Sequence, residues 1–141
     1  MKDVLRTERK FLLNHAEATA LRLKLDGVLH RDAHAGPEGY SVRSLYFDTF
    51  DDQDFYEKTA GVEVRRKIRL RIYSPNDKYG FLEMKQKQGN YQHKRSLKMT
   101  RADAQRLIAG DYDVLLHYEE PFARECFSKM QIRLYLPVTI V

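Results

Sequence analysis

The run V-R-R-K-I-R-L-R-I-Y at residues 64–73 constrains this chain more than any other stretch. A strand sends successive side chains to opposite faces. Arg65, Lys67, Arg69 and Arg71 therefore share one face, and Ile68, Leu70 and Ile72 share the other. Cations spaced about 7 Å apart along a strand repel one another unless anionic groups lie between them. The apolar side needs burial, so the cationic side is the one left for a ligand. Arg and Lys in such an array suit a polyanion, phosphate first.

The same parity recurs. In F-L-E-M-K-Q-K, Phe81, Glu83, Lys85 and Lys87 oppose Leu82 and Met84; in residues 91–99, Gln92, Lys94, Ser96 and Lys98 oppose Tyr91 and Leu97. In residues 5–13, Glu8 and Lys10 oppose Phe11 and Leu13. Arg43 has the parity of Leu45 and Phe47, which leaves its direction open. One such strand is an ordinary sheet with a solvated basic face. Recurrence on four strands, with Glu8 and Glu83 interspersed, favours an enclosed polar interior of the kind a closed barrel provides.

Elsewhere the spacing predicts a helix over 15–30 with Asn14 as N-cap, a loop over 31–39, a β run over 40–48 and a short helix over 51–60. A turn at 74–77 precedes strands at 79–87 and 91–99, joined across Gly89-Asn90. Thr100 with Asp103 opens a helix over 102–109; 121–130 reads as helix and 132–141 as strand. The order is α+β with antiparallel neighbours. The apolar ending L-P-V-T-I-V leads us to expect a fragment: residues 1–141 as the N-terminal portion of a single domain.

Composition narrows the class. The chain has 141 residues, 43% hydrophobic and 32% charged, with 25 Lys+Arg against 20 Asp+Glu. That is globular rather than disordered. One cysteine, Cys126, excludes an intrachain disulfide and reads as packing rather than nucleophile. No apolar run is long enough to span a membrane and the N-terminus is too polar for a signal peptide, so a cytoplasmic protein is expected. His30 and His34 have ligand-like spacing, but they fall at a helix end and loop, where solvated histidine is the plainer reading. Tyr46-Phe47 lacks the glycine and basic context of an RNA-binding motif, so no nucleic-acid partner is expected.

Taken together, R-T-E-R-K-F-L-L (6–13), S-V-R-S-L-Y-F-D-T (41–49), F-Y-E-K-T-A-G (55–61), R-R-K-I-R-L-R-I-Y (65–73), F-L-E-M-K-Q-K (81–87) and H-K-R-S (93–96) resemble the VTC domain. This is the polyphosphate polymerase domain of the vacuolar transporter chaperone complex and its bacterial homologues, within the CYTH or triphosphate tunnel metalloenzyme group. The resemblance implies an α+β fold: an antiparallel β-tunnel with flanking helices, incomplete in this chain. It implies transfer of the ATP γ-phosphate to polyphosphate with a divalent metal, Mn or Mg. Carried over by position, Lys10, Arg69, Arg71 and Lys85 are catalytic, and Lys10, Arg43, Lys67, Arg69, Arg71, Lys85 and Lys94 bind phosphate. Glu8 is the candidate metal ligand.

Tunnel triphosphatases begin with E-x-E-x-K, whereas Arg6 here replaces the first glutamate, which favours a polymerase-type site and weakens Glu8 as a ligand. The family's later strands, with a further glutamate, have no match here. The 141 residues alone are therefore expected to be inactive, and open strand edges are expected to pair two copies. A triphosphatase and a non-catalytic polyphosphate-binding module are the alternatives.

Overall fold

The computed structural model describes residues 2–32, 36, 39–133 and 135–140. Contacts divide the chain into two units, Met1–Thr7 with Val42–Val141, and Glu8–Ser41.

The first unit is built on strands β1 (Lys2–Thr7), β2 (Arg43–Asp48), β3 (Val64–Ile72), β4 (Tyr79–Gln88), β5 (Tyr91–Thr100) and β6 (Leu136–Ile140). They form one antiparallel sheet in the order β1-β5-β4-β3-β2-β6. The α+β expectation holds, but the sheet is open: β1 and β6 end the order, so these strands do not close a tunnel by themselves. Gly89, at φ +56, supplies the left-handed residue of the β4–β5 hairpin.

Alternation segregates the two faces as the sequence pattern requires. Ile68, Leu70, Leu82, Met84, Leu97 and Met99 are buried on one side. Against it pack α3 (Arg101–Ile108), a 3-10 helix (Tyr112–His117) and α4 (Pro121–Ile132), contributing Ala104, Leu107, Val114, Leu115, Phe122, Cys126 and Met130. Thr100 caps α3 by accepting from the Asp103 N–H at 3.1 Å. Gly80 lets α3 approach, since a Cβ there would sit 3.3 Å from Leu70 Cδ1 and 3.7 Å from Ala104. Cys126 is fully buried, and burial pushes its thiol up to about 12, so it packs and does not react.

Helix α2 (Gln53–Thr59) follows β2 and is held by Asp48, whose carboxylate accepts from the N–H groups of Thr49, Asp54 and Phe55 at 2.8, 2.8 and 2.9 Å. Asp54 is buried; its Oδ2 accepts from the Tyr135 hydroxyl at 2.8 Å, and its Oδ1 has no hydrogen-bond partner among the described residues. Burial, reinforced by Asp48 and Glu57 and opposed by Tyr135 and Arg66, raises this carboxyl from 3.8 to about 6. Because the folded-state value lies above the unfolded one, Asp54 favours the fold when protonated, and that contribution is lost as pH rises through 6. Asp54→Asn should therefore flatten the stability profile between about pH 4 and 8, gaining on wild type by about 2 kcal/mol at the upper end. Chemical denaturation across that range checks it; parallel profiles would reject it.

The second unit carries α1 (His15–Leu25). Asn14 and Glu17 form a reciprocal capping box, at 2.8 and 2.9 Å, which bears out the expected N-cap. The helix stops at Leu25 instead of running to residue 30, and none of its residues is buried. His30 is exposed in this unit, and His34 lies outside the described residues.

Other boundaries moved as well. The first strand is Lys2–Thr7, not 5–13, because its register runs from Lys2 opposite Ser96 to Thr7 opposite Tyr91, where β5 begins. Glu8 and Lys10 therefore lie beyond the strand. The last strand starts at Leu136, since α4 carries the chain through Ile132.

Candidate phosphate-binding face

Register converts the parity argument into rows across the face opposite the core. Directly paired residues on antiparallel strands point to the same side. One row runs Val4, Lys94, Lys85, Lys67; the next runs Lys2, Ser96, Glu83, Arg69, Tyr46. A third contains Lys98, Phe81, Arg71 and Ser44.

Glu83 sits at the middle of this array with its side chain only 4% exposed. Its Oε2 accepts from Arg69 Nε at 2.8 Å and lies 2.7 Å from Arg69 Nη2; its Oε1 lies 2.6 Å from Lys94 Nζ. Arg71 Nη1 approaches Oε2 to 3.8 Å, and Arg71 Nε donates to Ser44 Oγ at 3.2 Å. Arg69 Nη1 also donates to the Tyr46 hydroxyl at 3.1 Å. Burial pushes the Glu83 carboxyl up, but the hydrogen bonds and charges of Lys94 and Arg69 outweigh it and hold it below the ordinary range. The carboxylate is thus charged at neutral pH, and three cations share it.

Of the residues expected to act together, Lys67, Arg69, Arg71, Lys85 and Lys94 share this face. Arg43 does not. It is exposed and pairs with Ile72, on the side of Leu45 and Leu70, which settles its open direction away from the cations. Lys10 and Glu8 belong to the other unit, where Lys10 Nζ lies 3.7 Å from Glu8 Oε1.

Sequence reading undervalued two residues. Glu83 was placed on the cationic face, but its role as common partner follows only from register, which sets it opposite Arg69. Tyr46 extends the face onto β2, with Lys67 Nζ and Arg69 Cζ each 5.9 Å from its ring centre. The bulge between Tyr46 and Phe47 was invisible in the pattern.

Among the described residues, no group of three His, Cys, Asp or Glu side chains is placed to hold a metal ion. Glu83, the carboxylate best placed on this face, has both oxygens committed to cations. This donor set does not fit a resident divalent cation. No described helix is long and apolar enough to cross a membrane.

The domain is thus an open antiparallel sheet with a helix-covered apolar face and a cationic face organised on one buried carboxylate. The chain belongs to the VTC-domain family, whose model matches residues 5–141. Among solved structures, the fold is similar to that of a Bacillus halodurans protein described as a "putative adenylate cyclase", with a TM-score of 0.61 and 15% identity. That match covers 99% of this chain and 64% of the other, so this chain spans about two thirds of its structural relative. No curated protein matches the chain at a significant level.

Proposed function

We propose that this domain serves a polyphosphate polymerase, moving the γ-phosphoryl group of ATP onto the terminal oxygen of a polyphosphate chain and releasing ADP. The supporting observation is the arrangement around Glu83: Arg69, Arg71 and Lys94 converge on one carboxylate, and Lys85 and Lys67 pair directly in the adjoining row. Phosphoryl transfer asks little covalent chemistry of a protein; it needs reactants held in line and oxygen charge neutralised. Fixed guanidinium and ammonium groups supply both. Lys10 joins the set on the strength of the family motif. A divalent cation, Mn or Mg, enters as the nucleotide's companion, since the described residues offer it no cage of their own. Cytoplasmic placement and pairing of two copies through β1 or β6 belong to the same reading.

The primary test is calorimetry with tripolyphosphate and orthophosphate. Several charge-assisted hydrogen bonds act together only on a ligand with several phosphates. Tripolyphosphate should bind at least about a hundredfold more tightly, from two or more such contacts at roughly 1.5–3 kcal/mol each. Equal affinities would reject the reading. With γ-labelled ATP and the protein extended by the family's later strands, label in a lengthening chain supports the polymerase; label released as free phosphate identifies a triphosphatase, and unreacted bound ATP a binding module.

A further inference from the structure

The cationic face reaches β2 at Tyr46, which also lines a cleft of about 480 Å³. Its walls include Tyr46, Phe55, Lys58, Lys67, Asp52 and Asp54. The volume is within the range of small-molecule sites, about 300–1,000 Å³.

Two features of these walls bear on what could fill it. The first is continuity. The Tyr46 hydroxyl accepts from Arg69 at 3.1 Å, while Lys67 Nζ and Arg69 Cζ both lie 5.9 Å from its ring centre. Tyr46 therefore adjoins both the cleft and the cluster around Glu83, and Lys67, in the adjoining row of the cationic face, also lines the cleft. The second is chemistry. Inorganic polyphosphate has no apolar surface to place against Phe55 and Tyr46. Phe55 is 53% exposed on a helix whose first turn is anchored, because its own N–H donates to Asp48 at 2.9 Å. An aromatic ring on a fixed root, with a lysine and a carboxylate at the same walls, suits a flat heterocycle bearing polar edges.

We propose that this cleft takes the nucleoside end of a nucleoside triphosphate whose phosphates lie on the cationic face. Phe55 stacks on the base, Asp52 and Lys58 meet its polar edge, and Lys67 bridges toward the phosphates. The inference rests on the phosphate reading above and adds the subsite that distinguishes a nucleotide from an inorganic chain.

The test compares ATP with tripolyphosphate by calorimetry on wild type, Phe55→Ala and Phe55→Trp. Loss of base stacking should lower ATP affinity about tenfold in Phe55→Ala and leave tripolyphosphate unchanged, with Phe55→Trp restoring ATP binding. An unchanged ATP affinity in Phe55→Ala would overturn the proposal. Equal losses for ATP and tripolyphosphate would also overturn it, since Phe55 would then serve the fold. A wild-type protein that binds neither ligand would overturn the phosphate reading itself, and this inference with it.

Discussion

Glu83→Gln should destabilise the protein by about 3 kcal/mol at neutral pH, and tripolyphosphate should restore most of the loss. The carboxylate is 4% exposed, while the side chains of Arg69, Arg71 and Lys94 are 18%, 20% and 26% exposed. Removing the one anion leaves three half-buried cations in mutual repulsion. Their residual contact with water keeps the expected cost at the lower end of that for breaking a buried pair. A multivalent anion can replace the missing charge, so the variant should bind tripolyphosphate more tightly than wild type does. The pH behaviour follows. Glu83 has a folded-state pKa below its ordinary 4.5, so it stabilises the fold above that value and the contribution fades as pH falls below it. The variant should lack that part of the acid transition. Denaturant titrations with and without tripolyphosphate decide the matter; wild-type stability, or a loss that the anion does not repair, would refute the counter-ion role.

The rows of this site were legible because side-chain alternation in a strand has a period of two and Gly89-Asn90 fixes the β4–β5 register. Once residues 81–87 and 91–99 are strands, Lys85 and Lys94 fall on one face, and they are directly paired. Strand order was not legible. That β1 joins β5 and β6 joins β2 depends on contacts between distant segments, and those pairings set where β1 ends. The same holds for Asp54 and Tyr135, joined by a hydrogen bond across 81 positions, each looking locally like an unremarkable helix or strand residue. Arg43 shows what parity alone leaves open. Its alternation with Leu45 and Phe47 was read correctly, but only pairing with Ile72 shows that this set faces away from the cations. Helix α1 shows the limit at an element's end: spacing located its start at Asn14, but not its stop at Leu25, and none of its residues is buried.

Arg69→Ala should lower tripolyphosphate affinity by about 10- to 100-fold, the loss of one charge-assisted contact at roughly 1.5–3 kcal/mol. Arg69 supports the site in two ways. It presents a guanidinium to the ligand, and through Nε and Nη2 at 2.8 and 2.7 Å it covers Glu83 Oε2. Without it, the exposed carboxylate oxygen would repel an incoming phosphate. Arg69→Lys separates the two contributions, because an ammonium keeps the charge and loses the fork; it should fall between wild type and alanine. Lys98→Ala is the internal control. Lys98 occupies the same face opposite Phe81, but its ammonium lies 4.0 Å from the Tyr79 ring centre, away from Glu83. Its removal should change affinity by no more than about threefold, the scale of a screened surface charge. If Lys98→Ala and Arg69→Ala weaken tripolyphosphate equally, the ligand is responding to net charge, and the convergence on Glu83 has no part in recognising it.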